Sequence, residues 1–134
     1  MLIPIAAGST ILALGCSPER SAAHKYCKTW KDCDEESFKE EYDSVAQCTK
    51  SGRLYNEAYN YSLKVRISKD CAQASRKYDS CRAKALTCDA FPQGSDDWDA
   101  YSEWRDSFEK DCKDEIEEYD KACEDDDYYE YYGY

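Results

Sequence analysis

Residues 68–88 read SKDCAQASRKYDSCRAKALTC, and residues 95–123 read SDDWDAYSEWRDSFEKDCKDEIEEYDKAC. In the first stretch Cys71, Ala74, Tyr78, Cys81, Ala85 and Cys88 recur at alternating steps of three and four, the spacing of one helical face. Ser68 stands where an N-cap belongs. In the second, Trp98, Tyr101, Trp104, Phe108, Cys112, Ile116, Tyr119 and Cys123 keep the same period. That pattern predicts one long helix, capped by Ser95 with acids in its first turn, where the macrodipole favours them. If the two helices are antiparallel neighbours, facing residues have nearly constant index sums, because both rise at the same rate per residue. The sums for Cys71 with Cys123 and for Cys81 with Cys112 differ by one, so a single register closes both as disulfides. Charge agrees with that hairpin. Residues 16–88 hold 14 basic and 11 acidic side chains, and residues 89–134 hold 4 basic and 18 acidic. An acidic last helix suits a neighbour carrying Arg76, Lys77, Arg82 and Lys84, although exposed pairs are each worth only about 0–1 kcal/mol.

Upstream, breakers are rare. No proline falls between Pro18 and Pro92, and strand signals are absent. A first helix is expected from about Arg20 to Asp32, with Ala23, Tyr26, Cys27, Trp30 and Cys33 on or near one face. Ser37 with Glu40 reads as a capping box for a short turn through Tyr42, and Ser44 with Gln47 as a second. The second opens a longer helix ending near Ile67, with an expected stripe of Val45, Cys48, Tyr55, Tyr59 and Ser62. The fold class is therefore all-α, a small disulfide-braced bundle of about four helices that includes an antiparallel hairpin of the last two. For Cys27, Cys33, Cys48 and Cys88 two arrangements stand open. Either Cys48 pairs with Cys88 and Cys27 with Cys33, or Cys33 pairs with Cys48 and Cys27 with Cys88.

Composition explains why cysteines are needed. The chain has 134 residues and a formal charge of −11. From Cys16 onward its only large aliphatic or Phe side chains are Phe38, Val45, Leu54, Leu63, Val65, Ile67, Leu86, Phe91, Phe108 and Ile116. So little apolar surface hardly offsets the entropy of ordering the chain. Disulfides, typically worth about 2–4 kcal/mol each, make up for a thin core and imply an oxidising compartment. Metal is not expected, since the chain lacks C-x-x-C and has one histidine, His24.

Residues 1–15 are apolar or small, too short to span a bilayer and right for a signal-peptide core. No basic side chain precedes Cys16, so the basic n-region expected of a signal peptide is missing and a start codon upstream of Met1 stays open. Ala13-Leu14-Gly15-Cys16 resembles the lipobox of bacterial lipoproteins, in which small residues precede a cysteine that is diacylated and becomes the new N-terminus. Ala13 stands where that family favours Leu. The resemblance implies lipidation of Cys16, whose two acyl chains would give a stable membrane anchor. Ser17 resembles the outer-membrane sorting pattern of Gram-negative lipoproteins. Removing Cys16 from nine cysteines leaves eight, an even set for four disulfides. Ordinary signal peptidase also accepts Ala-x-Gly, so simple secretion is the alternative localisation, and Asn60-Tyr61-Ser62 is a glycosylation sequon for a eukaryotic version of it. The C-x9-C at Cys71 and C-x10-C at Cys112 resemble the coiled-coil-helix-coiled-coil-helix proteins of the mitochondrial intermembrane space, read here as convergent geometry. As a whole the mature chain resembles small helical cysteine-rich bacterial lipoproteins, a pattern that implies no activity.

The expected organisation is a signal peptide over 1–15, a helical disulfide-rich domain over 16–123, and an acidic, Tyr-rich disordered tail over 124–134. Six of thirteen tyrosines lie at Tyr119 and beyond. Tyr128, Tyr129, Tyr131, Tyr132 and Tyr134 form a candidate docking segment that orders on binding, or an unselected flexible end. An enzyme is not expected. His24 reads as solvated, and the pairs Glu40-Glu41 and Asp96-Asp97 as solvated acidic faces. Asp125, Asp126 and Asp127 lack the spacing of a calcium loop, and the net charge disfavours nucleic acid. No cofactor is expected. The expected function is a lipid-anchored interaction or structural module of the cell envelope, with the membrane and an unidentified protein as partners. The alternative is a secreted carrier of a small apolar ligand. Plant lipid-transfer proteins are eight-cysteine helical carriers, but their Cys-Cys and Cys-x-Cys motifs are absent here.

Overall fold

A computed structural model describes residues 17–88, 106 and 108–124. The leader, Cys16, the turn after Cys88, the start of the last helix near Ser95 and the tail beyond Glu124 lie outside the described residues. Within them the chain is all-α: α1 Pro18–Cys33, α2 Glu35–Glu41, α3 Val45–Arg66, α4 Lys69–Ala85 and α5 Lys113–Ala122.

Short polar residues set the boundaries. Ser17 caps α1, its Oγ accepting from the Arg20 N–H at 3.2 Å, and Pro18 fills the first helical position, where a missing N–H costs nothing. The helix therefore starts two residues earlier than expected. Asp34 closes α1, its N–H donating to the Trp30 carbonyl, and opens α2, its carboxylate accepting from the Ser37 N–H at 3.1 Å. Ser37 is thus a residue inside the first turn of α2 and not its cap. Ser44 caps α3 as expected, while Gln47 Oε1 reaches one residue further back, accepting from the Asp43 N–H at 2.8 Å. Ser68 caps α4 by accepting from the Cys71 N–H.

Helices α1, α3 and α4 pack on one another, α2 packs on α1, and α5 packs on α4. The buried core consists mostly of alanine and half-cystine: Ala22, Ala23, Cys27, Cys48, Cys71, Ala72, Ala74, Ala83 and Cys112, with Phe38, Leu86 and Phe108 as its large members. Small residues let helix backbones approach closely but bury little apolar area each. Cross-links thereby carry a large share of the stability.

Cys71 pairs with Cys123 and Cys81 with Cys112, in the antiparallel register described above. The other four cysteines pair as Cys27–Cys48 and Cys33–Cys88, which corrects both arrangements considered. Helix α1 runs unbroken through Cys33, so Cys27 and Cys33 are about 9 Å apart along its axis, beyond disulfide reach. Cys48 lies in the first turns of α3, opposite Cys27 in the antiparallel α1–α3 register that also sets Ala23 against Gly52. Cys88, past the end of α4, meets the end of α1.

Two further expectations are corrected. The last helix is interrupted at Cys112, which has φ −112° and ψ 26°; residues 108–111 are helical before it and α5 follows. The hydrogen bonds Cys112 N–H to Phe108 carbonyl and Ile116 N–H to Cys112 carbonyl straddle the irregularity, so the stripe of side chains continues across it. On α3, the inward positions are Cys48, Thr49 and Asn60, while Tyr55 and Tyr59 are 72% and 42% exposed. Close contact with the alanine face of α1 leaves no room for tyrosine there.

Candidate functional site

Three features stand out where these helices meet. The first is a recess of about 570 Å³ between α1, α3 and α4, walled by Tyr26, Trp30, Tyr42 and Tyr55, with Gly52 and Ala23 among its lining. Trp30 packs edge-on against Phe38 and Tyr42, with ring centroids 5.6 and 6.0 Å away, beside the Cys27–Cys48 bridge. The polar side of the recess is Asp79 with Arg82, 3.4 Å apart. Burial raises the Asp79 carboxyl above its usual range, and the Arg82 charge offsets part of that. The Arg82 guanidinium also lies 5.5 Å from the Tyr78 ring centroid. Aromatic walls with one charged pair can hold a small amphipathic molecule; they supply no nucleophile with an adjacent base.

The second is a buried polar knot that hydrophobic patterning does not reveal. Glu19 enters from the first turn of α1, Asn60 from α3 and Arg76 from α4. The Arg76 Nε donates to Glu19 Oε1, and Asn60 Nδ2 donates to the same oxygen at 3.2 Å. Burial alone would raise the Glu19 carboxyl; hydrogen bonds from Arg76, its own backbone and Asn60, with the Arg76 charge, outweigh it and hold it below its usual value. Asn60 is fully buried, and its Oδ1 has no partner among the described residues, because the amide must turn its NH₂ toward the carboxylate. A fully buried Asn60 is no glycan acceptor in the folded chain, which corrects the sequon reading.

The third is the outward face of α3, where Leu54, Tyr61 and Val65 are 51%, 67% and 64% exposed. The face opposite carries the buried Cys48, Thr49 and Asn60.

The charged groove between α4 and α5, about 920 Å³, pairs basic Lys69, Lys77 and Lys84 with acidic Asp114, Glu115 and Glu118. Of the expected cross-helix ion pairs, Lys77–Glu118 forms at 2.5 Å, whereas Arg76 turns to Glu19 and Arg82 to Asp79. His24 is exposed, its Nδ1 3.4 Å from Thr49 Oγ1. Glu40 and Glu41 are exposed as well. Cys16, Asp96, Asp97, Asp125 to Asp127 and the tail tyrosines lie outside the described residues. Among those described, no group of three or more His, Cys, Asp or Glu side chains is gathered as a metal site, and no helix is long and apolar enough to cross a membrane. Four disulfides are compatible with an extracellular or secreted protein. No family model, no curated protein and no solved structure matches the chain.

Proposed function

We propose that this chain is a lipid-anchored module of the cell envelope that binds a protein partner or braces the envelope, without catalytic activity. The observation that carries the reading is the use of cysteine. Eight of nine cysteines are spent in four disulfides among themselves, so Cys16, at the lipobox-like end of an apolar leader, is the one left for acylation. Ser17 already caps α1, so an anchor on Cys16 adjoins the domain directly and holds it at the headgroups. The apolar outward face of α3 is the kind of surface an interaction module presents. Outer-membrane sorting follows from Ser17 in this reading. A net charge of −11 argues against nucleic acid as a partner.

Fractionation of cells producing the full chain tests the proposal. The wild type should pellet with membranes, resist high salt and enter the detergent phase, and Cys16→Ser should lose acylation. A chain recovered from the medium without lipid would replace the anchored reading with simple secretion. The aromatic recess favours one second reading, a carrier of a small apolar ligand. An apolar fluorescent probe displaced by Trp30→Ala, with loss of a co-purifying lipid or aromatic compound, would favour the carrier.

A further inference from the structure

Leu54, Ala58, Tyr61 and Val65 follow one another at steps of four, three and four, a straight stripe on the exposed side of α3. Residues 54 and 65, and residues 58 and 61, are symmetric about the same point of the helix, between Tyr59 and Asn60. A stripe with that property is complementary to itself when reversed. We propose that the α3 face pairs with the α3 face of a second copy of this chain, antiparallel across a twofold axis at that point. This names the partner within the interaction-module reading and rests on it.

The residue sizes and charges fit. In such a pair Leu54 meets Val65 of the second copy, and the small Ala58 gives the Tyr61 ring of the second copy a hole to fill. Glu57 and Lys64 flank the same side of the stripe. In an antiparallel pair each side meets its own kind from the other copy, so Glu57 approaches the second copy's Lys64 and Lys64 its Glu57. Among the described residues Glu57 pairs with Arg53 of its own helix, 3.6 Å away. The patch is a single helix stripe, so the pairing is weak in solution, with a dissociation constant of roughly 10–100 µM. An anchor that confines copies to a membrane raises their effective concentration and makes weak pairing sufficient.

Sedimentation equilibrium of the natively produced full chain in a density-matched non-ionic detergent, at about 10 to 500 µM, tests it. The protein mass should rise from one chain to two. Leu54→Asp should weaken association at least about 30-fold. Glu57→Lys and Lys64→Glu should each weaken it about 3- to 10-fold, and the double swap should restore it. A single-chain mass over the whole range, or a double swap no better than either single change, overturns the pairing. A chain that stays single while vesicles of phosphatidylglycerol protect Tyr61 from modification assigns the stripe to the membrane and also overturns it. A single chain that still pellets through Cys16 sinks the pairing alone; a dimer that carries no lipid sinks the anchor alone.

Discussion

Ala23 of α1 and Gly52 of α3 pack tightly against each other: a Cβ added to Gly52 would stand 3.0 Å from the Ala23 Cβ. One turn away the Cys27–Cys48 bridge fixes the spacing of the same two helices, so neither can retreat. Replacing Gly52 by Ala would ordinarily gain about 1 kcal/mol of helix propensity. Here the new methyl faces a carbon mounted on backbone, and overpacking of this kind costs about 1–3 kcal/mol. Gly52→Ala should therefore destabilise by roughly 1 kcal/mol and Gly52→Leu by about 3, read by urea unfolding with disulfides intact. A gain of stability in Gly52→Ala would show that α1 and α3 have slack.

Glu19 couples stability to acid. Its folded carboxyl lies below its usual value, so it contributes stability at neutral pH that is lost as pH falls through the unfolded and then the folded value. Glu19→Gln keeps the shape and removes the charge. It should cost about 1–3 kcal/mol at pH 7, with the deficit shrinking toward pH 2. Asp79 has the opposite sign. Its raised carboxyl opposes folding once ionised, so Asp79→Asn should match the wild type near pH 3 and gain on it as pH rises. Equal pH profiles for wild type and both variants would contradict these assignments.

How much of this was legible beforehand depended on which residues face inward. In α4 the buried residues include Cys71, Ala72, Ala74 and Ala83, which any hydrophobic count sees, and the hairpin with α5 follows from the bridges of Cys71 and the half-buried Cys81. In α3 the inward residues are Cys48, Thr49, Gly52 and Asn60, of which only Cys48 registers in a hydrophobic count, while Leu54, Tyr61 and Val65 face out. Apolar periodicity there points away from the core, and with it went the α1–α3 register that pairs Cys27 with Cys48. The Glu19–Asn60–Arg76 knot was illegible for the same reason, since its members lie on three helices and look like surface residues. The interruption at Cys112 left no trace because the side-chain stripe keeps its period across it.

Disulfide mapping of the unreduced chain should return peptides linking Cys27 to Cys48 and Cys33 to Cys88. The Cys33–Cys88 bridge spans 55 residues and Cys27–Cys48 spans 21. On loop entropy, replacing both cysteines of the first pair by Ser should cost about 4 kcal/mol and of the second about 3. A peptide linking Cys27 to Cys88 would refute the α1–α3 register.

Alkaline pH should loosen α5. Burial raises the Tyr119 phenol, a contact at 3.1 Å with the Tyr59 hydroxyl adds to it, and Tyr78 is raised as well. Folded values above the unfolded one mean stability that is complete below pH 10 and declines as pH rises beyond it. Tyr59→Phe should leave neutral stability within about 1 kcal/mol and let Tyr119 ionise earlier in an ultraviolet titration. An unchanged titration would place Tyr119 apart from Tyr59.

The anchored, disulfide-closed state is tested most directly by the intact mass of the natively produced protein, before and after reduction and alkylation. A mature species beginning at a diacylated Cys16, inert to alkylation until reduction and then gaining eight alkyl groups, is the predicted result. An unlipidated mass, or thiols that alkylate without reduction, would contradict it.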